Sequence, residues 1–107
     1  MSEVKSFKMV GGDEIVAGLV SVKEIIEGSP ISYRLRRPHI LQLQPMGQGQ
    51  VGLAFVPWTL SNPTVEVIDV PASAILLSFD PSEQVERQYI QQTSGISLAP
   101  AGSRIST

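Results

Sequence analysis

Turn signals cut residues 1–80 into short apolar runs, and this punctuation restricts the fold more than any other feature of the chain. Gly11-Gly12-Asp13, Gly28-Ser29-Pro30, Ser61-Asn62-Pro63 and Pro71 each interrupt a run whose alternation suits a strand. Residues 4–10 place Phe7 and Met9 on one side and Lys8 on the other, then stop at glycines that tolerate positive φ, which predicts a strand and a tight turn. Residues 14–22 put Ile15, Ala17 and Leu19 on one face and Val16 and Val20 on the other. A strand apolar on both faces is covered on both, as inside a small barrel. Residues 23–27 fit a strand or a helix.

A third run spans residues 31–43, where Ile31, Tyr33 and Leu35 alternate with Ser32, Arg34 and Arg36. Pro38 lacks a ladder donor, so a bulge or bend belongs there, with residues 39–43 resuming the strand. Residues 44–50 (QPMGQGQ) read as a flexible connection, and residues 51–60 as an apolar strand with Pro57 at its edge or end. Residues 65–68 and 72–79 are two strands, or one strand bent at Pro71, for about five or six strands in all. Asp80-Pro81-Ser82-Glu83 then signals a helix over residues 81 to about 93. Val85 and Tyr89 lie one turn apart on it, Ser94-Gly95 ends it, and Ile96 docks back. Residues 1–96 form the expected domain, and residues 97–107, which have no period, a flexible tail.

Length and composition bound the partners. A chain of 107 residues supports one core, burying roughly two-thirds of the surface it would expose unfolded. With 42% hydrophobic and only 17% charged residues, part of its apolar surface is expected to face a partner. The net charge of −2 provides no positive field, so nucleic acid would need a local patch. There are no cysteines, and therefore no disulfides or thiolate ligands. Neither a signal-peptide core nor a stretch of roughly 20 apolar residues occurs, and the expectation is a cytoplasmic protein with no membrane partner.

Chemistry-bearing residues are sparse. His39 is the only histidine, it sits beside Pro38, and no serine lies in an elbow motif. Asp13, Glu14, Glu24, Glu27, Asp69 and Asp80 are scattered singly or as neighbours, which suits solvated turns and caps better than metal ligation. Gly47-Gln48-Gly49 lacks the lysine of a phosphate loop. We therefore expect no enzyme, no cofactor and no metal; Asp13, Glu14 and His39 are the only groups that could serve otherwise. The one positive concentration is Arg34, Arg36 and Arg37 with His39, which could contact phosphates, with Tyr33, Phe55 and Trp58 as candidates to stack on bases. The same residues have ordinary structural uses, as charges guarding a strand edge and aromatics filling a core.

Residues 9–19 (MVGGDEIVAGL) resemble the first motif of Sm-like proteins, where a turn glycine precedes apolar residues at the third and seventh places and glycine at the fifth. Gly12, Ile15 and Leu19 fill these places, with Ala17 in place of the last glycine. Residues 70–77 (VPASAILL) resemble the closing strands of the bacterial RNA chaperone of that family, with Ser73 where its histidine would be. Tyr33-x-Leu35, residues 52–58 (GLAFVPW) and residues 86–89 (ERQY) near Thr93-Ser94-Gly95 are similar to divergent Sm-like proteins of marine, cyanophage-like origin. The chain departs from the family in three ways. Residues 21–27 (SVKEIIE) do not match its base-holding loop, its Ile-Arg-Gly triplet is absent, and the helix follows the strands.

The resemblance implies a mainly β fold, a small, strongly bent five-stranded Sm-like (SH3-like) barrel with a C-terminal helix. It also implies a closed homo-oligomeric ring, a pentamer first with hexamer or heptamer as alternatives, in the host cytoplasm if phage-encoded. Single-stranded RNA is the candidate ligand, contacted by Arg34, Arg36, Arg37 and His39 with Tyr33 and Trp58 stacking. The competing reading is a structural or adaptor ring with no nucleic-acid binding.

Overall fold

The computed structural model describes residues 3–26 and 28–98, a mainly β chain with one helix. Strand β1 (Glu3–Met9) turns back at Gly12, whose φ of 108° suits glycine, and pairs with β2 (Glu14–Ile26) from Lys8↔Glu14 to Glu3↔Leu19. Beyond Leu19, β2 pairs among the described residues only with β3 (Ser29–Gly47).

β3 organises the sheet. Its first half pairs with β5 (Val67–Pro71) through Ser32↔Pro71 to Arg36↔Val67, and its second half with β4 (Gln50–Pro57) from His39↔Pro57 onward. The change of partner falls at a bulge, where the register steps from Gly18↔Arg36 to Val16↔His39 and Ala17 faces both Arg37 and Pro38. Arg37 takes φ 48°, a left-handed conformation that a bulge tolerates. The expected bend is there, with Pro38 at the bulge itself.

A short 3-10 turn, Ala72–Ala74, leads into β6 (Ile75–Phe79), which pairs with β1. The sheet runs β4-β3-β2-β1-β6 with β5 on β3. Its end strands do not pair with each other, so it is open rather than a closed barrel. It has six strands instead of five because residues 58–66, with Asn62 and Pro63 in a hydrogen-bonded turn, interrupt what would be one long fourth strand into β4 and β5.

Three local expectations are corrected. Residues 44–50 are not a flexible connection: β3 and β4 continue to a two-residue hairpin at Gln48 (φ 53°) and Gly49 (φ 77°). Both central φ values are positive, and that turn matches the twist of the flanking strands. Helix α1 (Glu83–Leu98) starts later than Pro81. Ser82 is its cap, its Oγ accepting the Val85 N–H at 3.2 Å, while Asp80 pairs with Lys5 at 2.8 Å. The helix also runs through Ser94-Gly95, since an interior glycine costs only about 1 kcal/mol. Ser97 and Leu98 thus belong to the helix, and the rest of the expected tail lies outside the described residues.

The bent sheet holds two cores. One face packs Phe7, Met9, Ile15, Ala17, Leu35 and Val70. The other face buries Val16 and Phe55 under Tyr89 of α1, with Val85 half-buried beside them. This explains why residues 15–17 are buried on both faces. Fully burying a Phe, Ile or Leu side chain contributes roughly 1.5–3 kcal/mol, so Phe7, Ile15 and Leu35 anchor the fold.

Candidate functional site

The bulge gathers several polar contacts. Its carbonyls at Arg36 and Arg37 point at α1, and the Tyr89 hydroxyl donates to both at 3.0 Å. His39 Nδ1 lies 2.8 Å from the Arg37 carbonyl, and the imidazole meets the Tyr89 ring edge-on at 6.0 Å. Arg37 donates to Glu66 at 3.0 Å and to the Thr93 carbonyl, tying residues 58–66 and α1 to β3. Burial, the largest cause, pushes the Tyr89 hydroxyl up to about 12, against the Gly18 backbone and nearby arginines.

The six candidate RNA contacts do not converge. Arg34 and Arg36 share the exposed face of β3, but Arg34 is held in a two-pronged pair with Asp69 on β5 (Nε to Oδ1 2.9 Å, Nη2 to Oδ2 3.2 Å). That hydrogen bonding, with the attraction of Arg34, holds the Asp69 carboxyl below its ordinary range. Arg36 is exposed and makes no side-chain hydrogen bond or ion pair within the described residues. Arg37 and His39 serve the α1 junction. Tyr33 packs edge-on to Phe7 at 5.9 Å, and Tyr33 and Trp58 both lie half-buried against the Phe7 core.

Two features escaped the sequence reading. Lys23, Ser21 and Ser32 join Arg34 and Asp69 in a polar groove of about 290 Å³, assembled across three strands. The helix also covers the outer edge of β4. The Trp58 N–H donates to the Pro38 carbonyl at 3.0 Å, and this fixes the alternation of the β3–β4 ladder. Gly52, Ala54 and Val56 bond to β3, while Leu53 and Phe55 turn their backbone groups outward. Gln88 and Gln92, one helical turn apart, donate their side-chain amides to those outward carbonyls at 3.3 and 3.0 Å. The i, i+4 glutamines were visible, but the edge they serve was not.

At the opposite end of the sheet path β6 pairs, among the described residues, only with β1, leaving its other edge bare of pairing by them. Its sequence ILLSF has neither charge nor proline, and Leu76 is 66% and Leu77 49% exposed. Proteins ordinarily blunt such edges with charges, proline or a covering element. β5 likewise pairs, among the described residues, only with β3.

Among the described residues no group of three or more His, Asp or Glu could hold a metal ion, and no helix is long and apolar enough to cross a membrane. No protein-family model and no curated protein matches this chain.

Proposed function

We propose that this chain is the subunit of an Sm-like homo-oligomeric ring that acts as a structural or adaptor element. The observation that carries this reading is the uncovered, uncharged, apolar edge of β6 on a sheet whose β4 edge is already covered. In the ring, β6 of one copy pairs with the β5 edge of the next, satisfying two rows of backbone groups and burying Leu76 and Leu77. Different edges meeting head to tail close into a ring when the rotation closes, and the family resemblance makes five copies the first expectation, six or seven the next. The strongly bent meander that returns β6 to β1 is compatible with the Sm-like resemblance.

Modulation of RNA is the second reading, favoured by one observation: Arg36 is unpaired and Arg34 and Lys23 lie on neighbouring strands. The adaptor role ranks first because Arg34 and Arg37 already hold carboxylates and Tyr33 and Trp58 are spent in the core. Light scattering of the purified chain, with and without short single-stranded RNAs at low and moderate salt, tests both. A discrete ring indifferent to RNA supports the adaptor. Salt-sensitive gain of RNA mass, lost in the Arg34→Ala/Arg36→Ala double variant, moves the function to RNA. A monomer overturns the ring.

A further inference from the structure

The far half of the β3–β4 hairpin differs from the rest of the chain in two ways. None of the chain's Lys, Arg, Asp or Glu residues falls within residues 38–65, so this arm carries no charged side chain beyond His39 at its root. Its two faces are also unequal. The pairs Leu41↔Phe55, Leu43↔Leu53 and Pro45↔Val51 alternate along the ladder and share one face, while Gln42↔Ala54 and Gln44↔Gly52 share the other.

Among the described residues, α1 covers only the root of the apolar face. Leu41 and Phe55 pack with Tyr89 and Val85, but Leu43 is 74% and Val51 62% exposed, with Leu53 only half-buried. The second core thus runs out past the helix as a bare apolar strip. What fits this strip follows from the missing charge. A partner of different sequence is ordinarily selected by complementary charges, and the arm offers none. A contact about a two-fold axis sets residues near their own copies, where a charge would meet its like. A face that packs on itself therefore does best without charges.

We propose that this face of the arm packs against the same face of a second copy of the chain, about a two-fold axis. The two hairpins stack as a small sandwich with roughly 10 Å between them, Leu43, Val51 and Leu53 interdigitating and Gln42 and Gln44 left in water. The strip is far smaller than the roughly 20–30 residues a side of a stable complex, so one contact forms only in concentrated solution. The arm and β6 lie at opposite ends of the sheet path, so the contact holds whether or not the chain forms a ring. Where a ring forms, it joins ring to ring.

The test is sedimentation equilibrium of the full chain over a concentration series, in the wild type and in the β6 variant Leu76→Lys/Leu77→Lys. Each should show a species that doubles in mass as concentration rises. Leu43→Lys/Val51→Lys, added to either, should weaken the doubling by about tenfold, while Gln42→Lys/Gln44→Lys, which adds the same charges to the opposite face, should leave it within about twofold. All four side chains are exposed, so circular dichroism should stay native; if the leucine-face variant unfolds, the uncharged Leu43→Gln decides. The proposal fails if the leucine-face variant doubles undiminished, if the glutamine-face variant loses the doubling as fully, or if neither parent chain doubles. It also fails if phosphatidylcholine vesicles capture the wild type through Leu43 and Val51 in place of the doubling, which would make lipid the occupant.

Discussion

The two ends of the sheet path meet the same physical problem in opposite ways. β4 exposes outward carbonyls at Leu53 and Phe55, and α1 lies along them with Gln88 and Gln92 supplying the N–H groups a neighbouring strand would bring. Among the described residues β6 has no such cover, and Leu76 and Leu77 stand exposed on it. An edge capped by side-chain amides cannot add a strand without losing the helix, whereas a bare apolar edge gains by adding one. The difference gives the fold a direction, closed to growth at β4 and open at β6.

The largest effect should come from spoiling the open edge. The double variant Leu76→Lys/Leu77→Lys places two charges on the strand proposed to pair between copies, and its mass in solution should fall from that of a ring to that of one chain. Circular dichroism should stay native, since both side chains are already about half exposed or more. A variant whose mass is unchanged removes β6 from the interface.

Uncovering the closed edge should have the next largest effect. Gln88→Ala/Gln92→Ala deletes two hydrogen bonds to β4 and should cost about 2 kcal/mol in urea unfolding. The exposed β4 edge should also make the variant associate beyond the wild-type mass with rising concentration. Equal stability and mass would show that apolar packing of Val85 and Tyr89, rather than the glutamines, protects β4.

Much of this contrast was out of reach of the sequence. The strands, the bend at Pro38, the end of β4 at Pro57 and the Val85–Tyr89 stripe were legible because each is a local pattern of alternation, punctuation or helical period. Residues 44–50 were misread because Gln48-Gly49 supplies the required positive φ without an asparagine or aspartate to announce it. The arginine cluster was legible as charge, but its partners were not. Asp69 lies 35 positions from Arg34, and Glu66 29 from Arg37, so only the pairing of β5 with β3 brings them together. Which edge the glutamines cover is likewise a property of register.

Tyr89 ranks third. Its hydroxyl is pushed up to about 12 by burial, so the folded chain favours the protonated form. The stability this gives is fully present below the ordinary tyrosine value near 10 and is lost as pH rises through about 12, a change on the order of 2 kcal/mol. Unfolding midpoints should therefore drop steeply between about pH 10 and 12. Tyr89→Phe should flatten that fall and cost about 1 kcal/mol at neutral pH, because it withdraws the donor shared by the Arg36 and Arg37 carbonyls. An unaltered alkaline limb in Tyr89→Phe would mean that the hydroxyl does not fasten α1 to the bulge.

The smallest effect belongs to the Arg34–Asp69 pair, an exposed contact between β3 and β5. The Asp69 carboxyl is held low chiefly by its hydrogen bonds from Arg34, so its contribution to stability is present above the ordinary carboxylate value near 4 and is lost as pH falls below it. Both partners are more than half exposed, and water and salt screen them. Arg34→Ala should therefore leave neutral-pH stability and the mass of the proposed ring nearly unchanged while making the acid limb slightly shallower. If it breaks the ring instead, the pair that joins β5 to β3 sets the alignment of the β5 edge. Assembly would then depend on β5 as much as on β6.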